Sequence, residues 1–328
     1  MADYKGIKGF KVQSLASDPT ADEGQTWYNT TSNTLKYDTI GTNAWSTAGL
    51  LNTHRPDMFA AAFGTTTATI CAGGWSAPIV TLACEEYNGT AWAEIADLTF
   101  TAYTRNTAAG GTTTASLIFG GNAQNAPAYT SVDTESWNGS AWTEVADLNS
   151  ARAAGGGAGT QNSALMFGGF GPAQPGNTAE TEEWNGTSWA VIPAGDMNVT
   201  TNRFGGWGTQ TAAMAVAGSP NRNTTETYDG ATWSSNPATL NNGRDNCCGA
   251  GTTSAAVLCG GNPPNILKTE QFNGTSWTAM TDSSIGKGDA AASGSSTAAL
   301  GIGGSVSPYK NVELWEYAPA QVKTVTTS

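Results

Sequence analysis

Short apolar runs ending in glycine recur along the chain at near-constant spacing. They read TICAGG (69–74), SLIFGG (116–121), ALMFGG (164–169), MAVAGS (214–219), AVLCGG (256–261) and ALGIGG (299–304). Each is too short for a helix and rich in β-compatible side chains, which predicts a strand buried on both faces. Between these runs lies a second phrase: EEYNGTAW (85–92), TESWNGSAW (134–142), EEWNGTSW (182–189), TETYDGATW (225–233) and TEQFNGTSW (269–277). Here polar and apolar positions alternate, turn at Asn-Gly or Asp-Gly, and resume at tryptophan. That pattern predicts a hairpin whose two central turn residues both take φ > 0. A further strand is predicted before the Gly-Thr-Thr turn, in runs such as RPDMFAAAF (55–63). Each unit therefore carries four strands.

The closing tryptophans are Trp45, Trp92, Trp142, Trp189, Trp233 and Trp277, at intervals of 47, 50, 47, 44 and 44 residues. Four-stranded units of this length, repeated six times, are the blades expected of a β-propeller, in which radial repetition leaves only short protected edges. The diglycine after an apolar strand, the aromatic before the turn and the later tryptophan resemble the kelch repeat, over roughly residues 35–317. Gly218-Ser219 stands in place of one diglycine. The sixth unit ends in VELWEYAP (312–319) with no NGxxW after it. Its missing outer strand is expected from TNAWST (42–47), so that the N- and C-terminal segments pair and close the ring. The expected architecture is an all-β, kelch-like propeller of six four-stranded blades, with seven as the alternative. The expected division is a docking segment at 1–34, the propeller at 35–317 and a tail at 318–328.

Five of the six arginines fall at one repeat position: Arg55, Arg105, Arg152, Arg203 and Arg244. Each precedes its unit's glutamate, giving the expected pairs Arg55 with Glu85, Arg105 with Glu135, Arg152 with Glu182, Arg203 with Glu226 and Arg244 with Glu270. Lys287 and Glu313 take these places in the sixth unit. The glutamate lies two residues before the aromatic, on the same packed face. A half-buried carboxylate there requires a partner, and the guanidinium fork suits it. Chemistry happens once per protein whereas scaffolding happens once per blade, so the five pairs read as structural.

Charge narrows the partners. Only 12% of residues are charged, yet the net charge is −12. A phosphate backbone would be repelled over most of such a surface, which argues against nucleic acid. No stretch of 18 apolar residues is present, so no membrane-spanning helix is expected. The N-terminus lacks the apolar core of a secretory signal. The five cysteines, Cys71, Cys84, Cys247, Cys248 and Cys259, show no metal-ligand spacing and read as buried free thiols. The NGT and NGS triplets match glycosylation acceptors, but the hairpin turns account for them.

The stock of catalytic groups is small. His54 is the only histidine and reads as a loop or packing residue. The copper site of the galactose-oxidase type of kelch enzyme needs two histidines and cannot be assembled. TADEGQTW (20–27) fits the Asp-box turn of sialidase-type propellers, a structural motif. No catalytic residue, cofactor or metal site is expected.

Loops carry the variation. From diglycine to glutamate, the first three units insert longer segments (75–84, 122–134 and 170–181) than the last three. They hold Trp75 and Pro78, Pro127 and Tyr129, and Phe170 and Pro172, which are the candidate binding residues on one rim.

The leader DPTADEGQTWYNTTSNTLKYD (18–38) resembles a segment at the start of bacteriophage tail and fibre-associated proteins, through Gly24, Gln25, Trp27, Tyr28 and Asn29. The resemblance implies a non-enzymatic virion protein, present in several copies, docked through its ends and facing a host surface glycan or receptor, or a neighbouring virion protein. A cellular kelch interaction module and a carbohydrate-active enzyme remain the alternatives.

Overall fold

A computed structural model describes residues 12–19, 25–38, 41–55, 58, 62–76, 79–99, 108–122, 130–171, 176–262, 267–307, 309–318 and 322–325. Among them every regular element is a strand, and none is a helix. The chain divides into two compact units, Met1–Asn43 with Glu316–Ser328, and Ala44–Trp315.

The larger unit repeats one four-stranded antiparallel sheet. The first comprises Ala62–Thr65, Ala68–Ala72, Cys84–Tyr87 and Trp92–Ile95, hydrogen-bonded in chain order. The second (Ala108–Thr112, Ala115–Phe119, Thr134–Trp137, Trp142–Glu144) and third (Gly156–Thr160, Ser163–Phe167, Thr181–Trp184, Trp189–Val191) follow the same order. So do the fourth (Gly205–Thr209, Ala212–Val216, Thr225–Tyr228, Trp233–Asn236) and fifth (Cys247–Gly251, Ala256–Gly260, Thr269–Phe272, Trp277–Ala279). In the sixth, Ala291–Gly294, Ala298–Ile302 and Val312–Ala318 are joined by Thr42–Thr47 as the outer strand. The architecture is all-β and compatible with a β-propeller.

Burial follows the apolar runs. In the second strand of the first sheet every residue after Ala68 is buried, and the equivalent strands Ala115–Phe119 and Ser163–Phe167 repeat this. Such a strand reads as a continuous hydrophobic stretch because both its faces are covered. Core clusters then run from one sheet to the next: Phe167 and Phe204 pack with Tyr228 and Trp233, and Met214 and Val216 with Leu258 and Trp277. Each first strand lies beside its neighbours' first strands, Ala62–Thr65 beside both Ala108–Thr112 and Ala291–Gly294.

Glycine is demanded at one place in every unit. Gly64, Gly111, Gly159, Gly208, Gly251 and Gly294 end the first strand with φ between +104° and +142°. A Cβ there would overlap the carbonyl oxygen of Ala68, Ala115, Ser163, Ala212, Ala255 or Ala298 respectively.

Three expectations need correction. The Asn-Gly hairpins are not two-residue turns with both φ positive: Tyr87 pairs directly with Trp92, leaving a four-residue loop in which only Gly89 is left-handed. The reason is Asn88, whose Oδ1 accepts the amide hydrogens of both Thr90 and Ala91 at 3.0 Å, holding the turn without αL at the asparagine. In the fourth unit the glycine pair is Ala217-Gly218 rather than Gly218-Ser219. Ala217 takes φ +73° and donates to Thr224 O, as Gly168 donates to Glu180 O in the third unit. Arg203 does not take the place of an arginine clamp in the fourth unit.

Four non-glycine residues are left-handed between sheets: Ala154, Arg203, Asn246 and Asp289, with φ of 54–56°. Their backbones form a series. Arg203 N donates to Ala154 O, Asn246 N to Arg203 O, Asp289 N to Asn246 O and Met58 N to Asp289 O. Arg203 thus belongs to this series, and its side chain is exposed.

The smaller unit holds a sheet of Gln13–Leu15, Thr26–Asn29, Thr34–Asp38 and Val322–Thr324, with the first pair parallel. Its centre is Trp27, fully buried, while Asn29 donates to Asp18 Oδ1 at 2.6 Å and Lys36 to Asp18 Oδ2 at 2.7 Å. Those hydrogen bonds, Lys36 first, hold the Asp18 carboxyl below its ordinary range.

Candidate functional site

The repeated Arg–Glu position is a buried clamp. Glu85 is fully buried and accepts the amide hydrogens of Asn52 at 2.6 Å and Thr53 at 2.9 Å. Arg55 Nη2 meets it at 3.0 Å, while Arg55 Nη1 donates to Ala83 O at 2.7 Å and to Gly73 O. Arg152 with Glu182 and Arg244 with Glu270, at 2.8 Å, repeat the arrangement. Lys287 meets Glu313 at 3.0 Å. Each guanidinium also bonds a backbone carbonyl two residues before its glutamate: Ala83, Glu180 and Lys268. A lysine cannot form that fork.

Arg203 does not reach Glu226. Glycine-to-carbonyl bonds fix the register: Gly121 N donates to Arg152 O, Gly218 N to Arg244 O, and Gly169 N to Thr201 O. Thr201, not Arg203, therefore occupies the arginine position of the fourth unit. Glu226 is buried and bonded to the Asn198 amide at 2.8 Å, and among the described residues no cation lies within ion-pair distance. Burial pushes its carboxyl above the ordinary value. Arg105 lies outside the described residues; its expected partner Glu135 is buried and accepts the Thr99 amide hydrogen at 2.9 Å.

One participant escaped the sequence reading. Asn52, Asn149, Asn198 and Asn241 each pass their side-chain N–H to the backbone oxygen of the outer-strand tryptophan, Trp92, Trp189, Trp233 and Trp277. The signal was the Leu-Asn or Met-Asn step preceding each linker.

The loop candidates fall differently. The backbone of Trp75 lies in a small ribbon, Trp75–Ser76 paired with Ile79–Val80. Pro78, Pro127, Tyr129 and Pro172 lie outside the described residues. Phe170 is 38% exposed and starts a second ribbon, Phe170–Gly171 with Gly176–Asn177, bridged to Ala153.

That second ribbon walls a groove of about 670 Å³ over the third sheet. Thr178 and Glu180 line one side and Ser150 and Asn149 another, with Asp196 and the apolar Val191 and Pro193 completing it. Glu180 is fixed by Arg152 Nη2 at 2.7 Å, yet 29% of its side chain stays exposed. The arrangement offers carboxylate, amide and hydroxyl groups beside a small apolar shelf, a set suited to binding a polar ligand. A second, narrower cavity of about 170 Å³ is lined by the first strands of all six sheets, mainly glycine and alanine, including Gly110, Gly157, Gly206 and Gly249.

Among the described residues no three His, Cys, Asp or Glu side chains cluster as metal ligands. The thiols are buried, and burial pushes Cys71, Cys84 and Cys247 up to about 12. Fold and site define an all-β protein of repeated four-stranded antiparallel sheets. Compared with known proteins, the chain matches no family model and no curated protein.

Proposed function

We propose that the chain is a kelch-like propeller of six blades, closed where Thr42–Thr47 completes the sixth sheet, and that it serves as a non-enzymatic structural protein of a bacteriophage virion. Two features support the closure. The first strands neighbour one another in series from the first sheet to the sixth and back, and one cavity touches all six. Averaged electron-microscopy projections of the isolated chain should show six lobes, and seven lobes or an open arc would refute the count.

The virion reading is carried by the N-terminal segment. Its TWYN stretch, Thr26–Asn29, forms a hairpin with Thr34–Asp38 on a buried Trp27, and the strand Val322–Thr324 completes the sheet. Both ends of the chain are thereby gathered for docking, and the groove beside Phe170 is left to meet a glycan of the host surface. Purified particles probed with gold-labelled antibody against the chain test this. Label at a fixed position on tail, fibre or neck supports it. Unlabelled particles, with the chain soluble in the cell, favour a cellular interaction module.

A further inference from the structure

Two thiols face each other within the fifth sheet. Cys248 on its first strand pairs with Cys259 on its second, and their Sγ atoms stand 3.3 Å apart, within reach of an S–H···S hydrogen bond. The same rung in the second, third and sixth sheets matches a small residue with a larger apolar one: Ala108 with Phe119, Gly156 with Phe167 and Ala291 with Ile302. Directly opposed residues of an antiparallel pair hold their Cα atoms about 4.5–5.5 Å apart. A disulfide spans Cα atoms roughly 4.4–6.8 Å apart, so the register already meets its reach. Closing the sulfurs from 3.3 Å to a bond of about 2.05 Å asks little more than about 1 Å of the two side chains together.

The surroundings favour a thiolate on Cys259. Two clamp cations pass close behind it: a Cβ at Gly260 would lie 2.5 Å from Lys287 Cβ, and one at Gly261 would lie 3.1 Å from Arg244 Cβ. The S–H received from Cys248, with the charges of Lys287 and Arg244, holds Cys259 below the ordinary thiol value in spite of its burial. Donating that hydrogen, together with burial, pushes Cys248 up. The narrow cavity among the first strands touches Cys248, so a molecule as small as peroxide can approach the pair from there.

We propose that Cys248 and Cys259 are a redox-active pair that hydrogen peroxide converts to a disulfide, stapling the first two strands of the fifth sheet. Cys259 Sγ attacks one peroxide oxygen, the O–O bond breaks, and the leaving hydroxide takes up the proton that Cys259 gave up, forming water. Cys248 Sγ then attacks the sulfenic sulfur. The S–O bond breaks, and the departing oxygen carries off the Cys248 proton as a second water. Two electrons pass from the thiols to the peroxide, and the atoms balance. The bridge lies in a cluster with Ala290 and Trp45, and Trp45 donates its indole N–H to Thr269 Oγ1 of the same fifth sheet at 2.9 Å. Oxidation therefore fastens the sheet on which Trp45, from the outer strand of the sixth, is seated.

Counting free thiols tests it. The full chain, reduced and then freed of reductant, is exposed to a small molar excess of hydrogen peroxide, unfolded in N-ethylmaleimide and weighed. Five adducts are expected before peroxide and three after it, with two hydrogens missing and no oxygen gained. Chymotrypsin cuts after Leu258, and the fragments carrying Cys248 and Cys259 should stay joined until a reductant parts them. Cys247→Ala should still form the bridge, whereas Cys248→Ala and Cys259→Ala should not. Five adducts on the wild-type chain after peroxide overturn the proposal, whatever the variants do. So does a loss of adducts that brings added oxygen, or a bridge that persists in Cys248→Ala.

Discussion

Trp142 has no acceptor for its indole N–H because Cys84 stands opposite it where four other units place threonine. In the register of the third strands, Thr134, Thr181, Thr225 and Thr269 each precede the clamp glutamate. Their hydroxyls take the indole protons of Trp189, Trp233, Trp277 and Trp45 at 3.1, 3.1, 3.0 and 2.9 Å. Val312 also breaks the pattern, and there Trp92 donates instead to Gly49 O at 2.8 Å.

Cys84→Thr should therefore stabilise the protein by about 1 kcal/mol, the usual net worth of satisfying one buried donor. Chemical denaturation of the two proteins measures it. A matching gain from Cys84→Val would assign the effect to packing rather than to the indole.

The clamps should differ in what they tolerate. Glu270→Gln leaves Arg244 buried without its counter-charge and should cost about 3–5 kcal/mol. Glu226→Gln removes a carboxylate with no described cation within ion-pair distance, Arg222 acting on it only from farther off, and it should cost clearly less in the same denaturation experiment. Equal losses would contradict the assignment of Thr201 to the arginine position.

Acidification gives a second handle on Glu226. Its carboxyl is raised above 4.5 by burial, so as pH falls through the raised value toward 4.5 the folded chain takes up the proton before the unfolded chain does. This group's contribution to stability grows across that window and is lost as pH rises. Asp18 and Asp229 are lowered below 3.8 and act oppositely, losing stability as pH falls below that value. Comparing wild type with Glu226→Gln between pH 7 and 4.5 should show the larger rise in the wild type, since Asp147, also raised by burial, contributes to both.

Two left-handed glycines should respond unequally to alanine. Gly159→Ala forces a methyl group onto the Ser163 carbonyl as well as a strained φ, and should cost about 2 kcal/mol or more. At Gly186 the nearest atom to the new Cβ would be 3.5 Å away, leaving only the backbone cost of about 1–2 kcal/mol. Thermal unfolding of the pair decides it.

What the sequence disclosed was whatever recurred. The apolar runs before glycine, the hairpin tryptophans and the pairs Arg55–Glu85, Arg152–Glu182 and Arg244–Glu270 all stand in register, and repetition separates them from chance. Arg203 misled because the fourth unit carries two extra residues between its Met-Asn step and the arginine, and only the hydrogen bond from Gly169 to Thr201 reveals the shift. The turn type was misjudged because an asparagine side chain can replace a backbone conformation. The groove was illegible for another reason: it draws on residues 149–152, on 171 and 177–180, and on four positions between 191 and 200, whose proximity no local pattern encodes.

The links at Ala154, Arg203, Asn246 and Asp289 are made by peptide atoms alone. A methyl, a guanidinium, an amide and a carboxylate thus all ride on one left-handed backbone geometry. Of the four only Arg203 is exposed, so at that one position the letter can be rewritten, and the local surface with it, while the joints between neighbouring modules stay the same.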